Sequence, residues 1–259
     1  MTPLASQESL LQAVRECADV AGAFALRHYR SGIAIEWKQD GSPVTIADRG
    51  AEHAAREWIG ARFPADGIVG EEFAETAGTS GRRWIIDPID GTKSFVRGVP
   101  LWGSLVAVLE GERVIAGAAS FPATRETIAA ASGCGCWHNG ARASVSAVAS
   151  LEAATVLTSD DRTFARGVSF DRWNALAGRA AVVRTWGDAF GYLLVATGRA
   201  DVMVDAIVNA WDIACFVPIV EEAGGVFTDV AGRTTAFGGS AIATNAALAA
   251  ESRKILCST

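Results

Sequence analysis

The sequence predicts an α/β (α+β) fold in which helices and sheets are stacked in layers. Amphipathic helical patterns open the chain, the segment 103–131 has the pattern of an antiparallel meander, and strand-like and helix-like segments alternate after residue 150. Because sheets and helices must each bury an apolar face against another element, this order of elements favours αβαβα packing. We expect one compact domain over residues 1–259, with subdomains at about 1–147 and 148–259.

Two helices are predicted near the start of the chain. The first is expected from a cap at Ser6 or Ser9 to about residue 30, because apolar residues recur there at helical spacing. The second is expected over 46–62, with Pro64 just beyond its end. The other elements of the first half are expected to be a turn at 39–43 and strands at 33–37, 68–70, 84–87, 103–109, 114–121 and 126–131.

The predicted elements of the second half alternate between strands and helices. Strands are expected at 155–158, 182–185, 201–204, 226–228 and 241–244. Helices are expected at 170–177, 189–197, 211–223 and after Asn245. No internal repeat or low-complexity linker interrupts this order.

Composition and charge exclude several classes of protein. Half of the residues are apolar, which excludes a disordered chain, and a formal net charge of −6 without a basic block argues against a nucleic-acid partner. The chain has no apolar run of about 18 residues and no basic amphipathic helix, so no association with a membrane is expected. The N-terminus lacks the pattern of a signal peptide, and the five scattered cysteines suit a reducing compartment, so we expect a cytoplasmic protein.

The most informative segment is 84–93, with the sequence WIIDPIDGTK. An apolar strand carries Asp87 at its carboxyl end, and a proline stiffens the following turn, so that the carboxylates of Asp87 and Asp90 are able to face the same point. Gly91 permits a close approach of the backbone to a ligand, and Thr92 adds a hydroxyl beside free amides suited to phosphate. The alternative interpretation is an Asx-rich turn that only caps a helix.

Two further acidic positions extend this pattern. Glu71 and Glu72 follow the apolar strand 68–70, and Asp212 begins an apolar helix. Taken singly, the glutamates fit a solvated loop and Asp212 fits a charge stabilised by the helix dipole. Brought together with the two aspartates of the segment 84–93, however, these carboxylates would repel one another unless cations held them. Oxygen ligands without His or Cys favour Mg²⁺, with Mn²⁺ as the alternative, and such ions would reconcile an acidic chain with an anionic substrate.

These motifs resemble those of the inositol monophosphatase superfamily of metal-dependent phosphatases. The resemblance is carried by residues 44–48 (VTIAD), 70–72 (GEE), 87–92 (DPIDGT), 211–212 (WD) and 221–225 (EEAGG), in the order in which that family has them. It implies a five-layered αβαβα sandwich of the inositol monophosphatase and fructose-1,6-bisphosphatase type, usually a homodimer. It also implies a catalytic domain that hydrolyses a small phosphate monoester with two or three Mg²⁺ per active site.

The resemblance implies a role for each residue that matches a family motif. One Mg²⁺ would be held by Glu71, Asp87 and the carbonyl of Ile89. A second would be held by Asp87, Asp90 and Asp212, and a weaker third ion would lie at Glu71. Glu71 and Thr92, with Asp48 in support, would orient the attacking water. The substrate would be contacted by residues from the metal motifs and from the second half of the chain, namely Asp90, Gly91, Thr92, Lys93, Arg184, Gly187, Asp188, Asp205 and Asp212.

Local details favour the histidinol-phosphatase branch of the superfamily. Segments 90–95, 100–105, 184–188 and 196–201 resemble that branch, although Ala189-Phe190 stands where it more often has Cys-Tyr. L-Histidinol phosphate carries an ammonium group and an imidazole, which acidic side chains recognise by charge-assisted hydrogen bonds.

The acidic candidates outside the metal set are Asp188 and Asp205. The alternative for Asp205 is a turn residue at a strand end, and for Asp188 it is a helix N-cap. Arg184 and Lys93 are equally compatible with solvated surface side chains. Two other functions stay open: an inositol-1-monophosphatase or broad-specificity sugar phosphatase, and a non-catalytic regulatory protein on the same scaffold.

Overall fold

A computed structural model of the chain describes residues 6–38 and 43–257. Within these ranges the α-helices are α1 (Gln7–Leu26), α2 (Ile46–Arg62), α3 (Thr92–Val96), α4 (Phe170–Ala177), α5 (Ala189–Ala196), α6 (Ala210–Ile213), α7 (Phe216–Glu222) and α8 (Ala249–Leu256). The strands are β1 (Glu36–Trp37), β2 (Pro43–Val44), β3 (Gly67–Gly70), β4 (Arg82–Asp90), β5 (Gly103–Glu110), β6 (Arg113–Phe121), β7 (Glu126–Ala131), β8 (Gly135–His138), β9 (Ala141–Arg142), β10 (Thr155–Leu157), β11 (Val182–Arg184), β12 (Val202–Asp205), β13 (Val226–Thr228) and β14 (Ala241–Thr244).

Two sheets organise the molecule. The seven-stranded sheet runs in the order β3-β4-β5-β6-β7-β8-β9, and its strands are antiparallel except for the parallel pair β3 and β4. The five-stranded sheet has the order β11-β10-β12-β14-β13, with β10 parallel to both of its neighbours. The meander predicted over 103–131 forms β5, β6 and β7 at the centre of the larger sheet.

Alternate residues of the strands face different layers, as the two-residue period of a strand requires. In β4, Trp84 and Ile86 pack into an apolar cluster with α1 and α2, whereas Ile85 packs into a second cluster with α5, α7 and the inner face of the smaller sheet. A third cluster joins the outer face of that sheet to α4 and α8, through Trp173 and Leu256. The resulting order of layers is αβαβα, which confirms the predicted fold class.

Local signals account for the two N-terminal helices. The Ser6 hydroxyl caps α1 by accepting a hydrogen bond from the Ser9 N–H, which is one of the two predicted caps. Thr45 caps α2, and the Asp48 carboxylate accepts a hydrogen bond from the Thr45 N–H, which completes a capping box. The bounds of α2 are those predicted, while α1 ends at Leu26, four residues before the expected end.

Several predicted elements differ from the structure. The helix expected over 211–223 is divided into α6 and α7, because Pro218 has no N–H to donate to the carbonyl of Ala214 and its ring crowds that carbonyl. The strand expected at 33–37 is reduced to the exposed pair β1, and the turn at 39–43 lies outside the described residues except for Pro43. The hairpin of β8 and β9 was absent from the sequence prediction. The subdomain boundary near residue 147 stays a prediction.

The described residues contain no helix that combines the length and apolar character needed to cross a membrane. The five cysteines are free thiols, as expected for a chain without disulfides.

Candidate active site

The carboxyl end of β4 brings Asp87 and Asp90 to the edge of the larger sheet. β4 pairs with β5 up to Asp87, and the register then shifts before Asp90 resumes pairing with Gly103. Pro88 lies in this irregular segment because it lacks a ladder donor, and its carbonyl instead accepts a hydrogen bond of 2.6 Å from the Ser104 hydroxyl. The shift places the two carboxylates, both buried, on one side of the strand end.

Gly91 turns the chain from β4 into α3. Its φ of +78° lies in the left-handed region, and a Cβ at this position would lie 2.8 Å from the Leu101 carbonyl oxygen. Glycine is therefore required both by the backbone conformation and by the close approach of the neighbouring loop. The Thr92 hydroxyl that follows donates a hydrogen bond of 2.9 Å to the Ile89 carbonyl and lies 3.4 Å from Asp48 Oδ1.

Asp212 reaches the same point from the second half of the chain. It lies in the first turn of α6, where its Oδ2 accepts a hydrogen bond of 2.7 Å from the Asn209 N–H. Asp87, Asp90 and Asp212 each offer a carboxylate oxygen, and the three oxygens lie within 4.8 Å of one another. Asp212 is therefore a helix-start residue, as the alternative interpretation predicts, and its carboxylate also lies beside those of Asp87 and Asp90.

Burial and mutual repulsion act together on this carboxylate cluster. Burial, followed by the charges of Glu71, Asp90 and Asp212, raises the pKa of Asp87 well above its usual range. Burial, followed by Asp188 and Asp212, does the same to the pKa of Asp90. The pKa of Asp212 rises to about 7, again chiefly through burial. A cation between these oxygens would offset both the cost of burying their charges and the repulsion from neighbouring carboxylates, which together raise the three pKa values.

Glu71 lies at the end of β3, beside β4. Its N–H donates to the Ile86 carbonyl at 3.2 Å, which extends the pairing of the two parallel strands. Its Oε1 receives an ion pair of 2.6 Å from the Lys38 ammonium, which also lies 2.5 Å from Glu72 Oε1. Burial lowers the pKa of Lys38, but its hydrogen bonds to the two glutamates outweigh this effect and raise it. The two glutamates are thus not in a solvated loop, as the alternative interpretation had it, but in a partly buried ion pair with Lys38. Sequence reasoning missed this ion pair.

Asp48 lies behind Thr92 and is almost fully buried. Its Oδ2 accepts two hydrogen bonds of 2.7 Å from the N–H and the hydroxyl of Thr45. Burial raises its pKa to about 6, while the hydrogen bonds from Thr45 lower it and the charge of Glu72 raises it further. Its other oxygen, Oδ1, is the one that faces Thr92.

Two cavities meet at the carboxylate cluster. The first has a volume of about 200 Å³ and is lined by Pro43, Glu71, Asp87, Ile89, Asp90, Gly91, Thr92, Lys93, Asp188 and Asp212. The second, of about 100 Å³, is lined by Asp90, Ser159, Asp160, Thr163, Asp188, Ala189, Tyr192, Asp205, Ile207, Val208, Asp212 and Ile213. We call them the metal cleft and the acidic cavity. Asp90, Asp188 and Asp212 line both, so the two cavities adjoin at these three residues.

Asp205 lies at the end of β12, in the wall of the acidic cavity. Its Oδ1 accepts a hydrogen bond of 3.0 Å from the Ser159 N–H, and its Oδ2 accepts one of 2.8 Å from the Tyr192 hydroxyl. Burial raises the pKa of Asp205, and these hydrogen bonds oppose the rise. Tyr192 itself stacks on Phe216, with ring centroids 5.0 Å apart, so its hydroxyl is held in place by packing. Asp205 is thus a buried carboxylate with two fixed donors, rather than only a turn residue.

Asp188 lies between the two cavities in an unusual conformation. Its φ is +50°, and its N–H donates a hydrogen bond of 2.7 Å to the Ser159 hydroxyl. Although it occupies the N-cap position of α5, its side chain caps nothing; the Ala189 N–H donates instead to Asp90 Oδ1 at 2.6 Å. Burial and the nearby charge of Asp205 raise the pKa of Asp188 to about 6, and Lys93 opposes the rise. Asp188 therefore occupies the N-cap position that the alternative interpretation predicts, but its side chain makes no capping hydrogen bond.

The remaining predicted site residues, Lys93, Gly187 and Arg184, differ in their distance from the two cavities. Lys93 lines the metal cleft with an exposed side chain. Gly187 lies against Ser159, where a Cβ would approach the Ser159 Cα to 2.1 Å, so the two segments that form the acidic cavity touch through a glycine. Arg184 is not brought to either cavity; it is exposed, donates to the Val183 carbonyl and lies over the Trp186 ring at 5.9 Å.

Sequence reasoning missed Ser159 and Asp160. Both follow the parallel strand β10, at the edge of the smaller sheet from which the acidic cavity opens. The carboxyl ends of parallel strands commonly form ligand sites, so the position of these two residues after a predicted strand was the signal that would have identified them.

Comparisons with known proteins agree with this geometry. The pattern of the inositol monophosphatase family matches residues 6–258. The histidinol-phosphatase of Chlorobaculum parvum is 44% identical over 234 residues, which cover 90% of this chain and 90% of that protein. The histidinol-phosphatase of Mycobacterium tuberculosis is 42% identical over 221 residues, covering 83% of this chain and 85% of that one. The solved IMPase of Thermotoga maritima superposes with a TM-score of 0.84 at 33% identity, covering 96% of this chain and 95% of its own.

Proposed function

The chain belongs to the inositol monophosphatase family, and from this premise we propose that it hydrolyses L-histidinol phosphate to L-histidinol and phosphate in a Mg²⁺-dependent reaction. The observation that carries the choice of substrate is the acidic cavity beside the carboxylate cluster. Asp160, Asp188 and Asp205 line this cavity in addition to the candidate metal ligands. Carboxylates suit the ammonium and imidazole of histidinol, and a charge-assisted hydrogen bond contributes roughly 1.5–3 kcal/mol.

The donor set of the metal cleft fits a hard divalent cation. The carboxylate oxygens of Asp87, Asp90 and Asp212 lie close together, with Asp87 and Asp90 buried and Asp212 partly buried, and a cation would relieve their repulsion. The Lys38 ammonium pairs with Glu71, and this ion pair supports a site for positive charge at that end of the cleft. The residues that would hold Mg²⁺ are Glu71, Asp87, Ile89 through its carbonyl, Asp90 and Asp212. When bound, Mg²⁺ lowers the pKa of water and neutralises charge on the phosphate and the leaving oxygen.

The chain's own side chains would orient the attacking water. The Thr92 hydroxyl has two acceptors within reach, the Ile89 carbonyl and Asp48 Oδ1. With its proton directed to either of them, the hydroxyl oxygen keeps a lone pair that accepts a hydrogen bond from water in the metal cleft. The Glu71 carboxylate lines the same cleft and would accept the second hydrogen bond. Two acceptors define the direction of the remaining lone pair of the water, which is the one that attacks phosphorus.

The leaving group would extend from the metal cleft into the acidic cavity. Asp90, Asp188 and Asp212 line both spaces, so an ester whose phosphate lies at the carboxylate cluster places its alcohol near Asp188 and Asp205. In this arrangement the two acids contact only the leaving group and contribute to specificity rather than to the cleavage itself.

An inositol-1-monophosphatase or sugar phosphatase is the second candidate. The similarity to the Thermotoga IMPase supports it, and the acidic cavity also offers the hydroxyls of Ser159 and Thr163 to a polyol. A non-catalytic regulatory protein has less support, because Glu71, Asp87, Asp90, Thr92 and Asp212 are all retained.

A substrate panel tests the proposed function. Phosphate release would be measured from L-histidinol phosphate, inositol 1-phosphate, fructose 1,6-bisphosphate and 3′-phosphoadenosine 5′-phosphate, each with Mg²⁺ and with EDTA. We expect kcat/KM for L-histidinol phosphate to exceed that for inositol 1-phosphate by at least about tenfold, the factor that one charge-assisted hydrogen bond provides. We also expect no turnover in EDTA. Equal kcat/KM values for the two esters would favour the second candidate.

Three associated expectations belong to the same proposal. The active site would hold two or three Mg²⁺, with Mn²⁺ as a possible replacement, which metal titration by calorimetry would count. The protein would be a cytoplasmic homodimer, with a mass near twice the 27.0 kDa of the chain in light scattering. Its partner would be the small phosphate ester, with no nucleic acid or membrane involved.

A further inference from the structure

Asp160 lies at the rim of the acidic cavity, in the turn that follows β10. It lines the cavity together with Asp188 and Asp205, and its side chain keeps 33% of its surface exposed. The preceding residue, Ser159, contacts both of those acids: its N–H donates to the Asp205 carboxylate, and its hydroxyl accepts from the Asp188 N–H. Asp160 is therefore held next to two carboxylates by the same turn that positions them.

The three acids of the cavity differ in what they already bind. Both Asp205 oxygens accept hydrogen bonds from protein donors, the Ser159 N–H and the Tyr192 hydroxyl. The Asp188 carboxylate accepts none from the residues at 6–38 and 43–257, although burial raises its pKa to about 6. An inward-facing carboxylate without a partner indicates that a donor from a bound ligand belongs there. Asp160 differs from both, because its carboxylate is paired with an exposed side chain.

Asp160 forms an ion pair with an exposed arginine, Arg162, and a bound ligand is able to replace that arginine. Arg162 donates from its Nε to Asp160 Oδ1 at 2.9 Å and from its terminal nitrogen to Oδ2 at 2.6 Å. The Arg162 side chain is 84% exposed, and Arg162 is not among the described residues that line the acidic cavity. Exposed ion pairs of this kind contribute little net stability because water screens them. Exchanging this ion pair for a contact between Asp160 and a ligand in the cavity therefore costs little free energy.

We propose that Asp160 is a specificity-determining residue that binds a second positively charged or donor group of the leaving alcohol, releasing Arg162 as it does so. The inference rests on the proposed function, and it names a contact beyond it. Histidinol carries two nitrogen-bearing groups, an ammonium and an imidazole. Asp188 and Asp205 would bind one of them inside the cavity, and Asp160 at the rim would bind the other.

A structural role for Asp160 is separable from this one. Its side chain also accepts a hydrogen bond of 3.1 Å from the Arg162 N–H, which caps the short 3-10 helix Asp161–Ala165. Asparagine is as good a capping residue as aspartate, so Asp160→Asn keeps the cap and removes only the charge. The adjacent Asp161 is exposed and does not line the cavity, which makes Asp161→Asn a matched control of the same charge change.

The experiment compares two substrates on three proteins. The wild type, Asp160→Asn and Asp161→Asn would be assayed with Mg²⁺ on L-histidinol phosphate and on inositol 1-phosphate. We expect Asp160→Asn to lower kcat/KM for L-histidinol phosphate about tenfold or more, mainly through KM, as expected for a lost charge-assisted hydrogen bond. Its kcat/KM for inositol 1-phosphate should stay within about twofold of the wild type, and Asp161→Asn should change neither value. Arg162→Ala, which frees Asp160, should leave kcat unchanged and lower KM for L-histidinol phosphate.

The outcomes separate this inference from the proposed function. A wild type that prefers L-histidinol phosphate while Asp160→Asn keeps that full preference would overturn the inference alone. An equal loss on both substrates would do the same, because it would indicate a structural role. A wild type without any preference would overturn the proposed function together with the inference.

Discussion

The N–H of Ala189 donates a hydrogen bond of 2.6 Å to Asp90 Oδ1, which joins the first turn of α5 to the end of β4. The bond links two segments 99 positions apart and connects α5 to the larger sheet at the candidate active site. The neighbouring Asp188 makes no capping hydrogen bond with its side chain and lines both the metal cleft and the acidic cavity. The contact thus fixes Asp90, which lines both cavities, relative to α5.

Removing one carboxylate of the cluster should separate activity from stability. Asp87→Asn and Asp212→Asn should each lower kcat with Mg²⁺ by at least about 100-fold, because a metal ligand is lost. The metal-free variants should melt no lower than the wild type, because one repelling charge has been removed from a buried cluster. Phosphate-release kinetics and thermal unfolding in EDTA measure the two effects. Near-normal kcat in both variants would contradict the assignment of the metal ligands.

Stability of the metal-free protein should depend on pH in a defined direction. The folded-state pKa of Asp212 is raised from 3.8 to about 7, and the pKa values of Asp48 and Asp188 are raised to about 6. The folded state therefore binds more protons than the unfolded state between about pH 4 and 7, and its stability falls as pH rises through that window. We expect Tm in EDTA to decrease from pH 5 to pH 8.

Added Mg²⁺ should oppose this decrease of Tm with rising pH. It binds the ionised carboxylates of the folded state, so the rise in Tm on adding Mg²⁺ should be larger at pH 8 than at pH 5. Calorimetric scans at both values, with Ca²⁺-free buffer and EDTA as the reference, provide the comparison. A Tm in EDTA that rises steadily with pH would be inconsistent with raised pKa values in the cluster.

Tyr192→Phe should impair substrate binding more than folding. The variant keeps the ring that stacks on Phe216 but removes the hydroxyl that donates 2.8 Å to Asp205 Oδ2. A buried carboxylate oxygen without its donor binds more protons and loses its fixed direction. We expect KM for L-histidinol phosphate to rise about tenfold, with kcat within about threefold of the wild type. Loss of kcat at constant KM would instead assign Tyr192 to the reaction itself.

Gly187→Ala should disturb the acidic cavity. The added Cβ would lie 2.1 Å from the Ser159 Cα, so the turn that holds Asp205 and Asp188 has to move. We expect a loss of about 1–3 kcal/mol in the free energy of unfolding, as for other overpacked sites, and a lower kcat/KM. Gly60→Ala is the control, because Gly60 lies inside α2 with no atom near its Cβ position, and alanine there should stabilise by about 0.5–1 kcal/mol. A Gly187→Ala protein as stable and active as the control would disprove the close packing.

Local sequence patterns determined the elements and the chemistry of the first motif. The predicted helix over 46–62, followed by Pro64, has the bounds of α2, and the strand followed by Asp87, Asp90 and Gly91 identified a turn with two carboxylates. The αβαβα layers also followed from the order of elements, because each element must bury one face. These features depend on neighbours in the chain, so the sequence alone was sufficient for them.

Tertiary packing decided the rest. The meeting of Asp212 with Asp87, the ion pair of Lys38 with Glu71 and the entry of Asp160 into the acidic cavity join segments that have no local signal for one another. Asp188 occupies the N-cap position of α5 without a capping hydrogen bond from its side chain, and no residue near it in the sequence reveals this. Distances across layers follow from how two sheets and their helices pack, and that information is spread over the whole core rather than contained in any one motif.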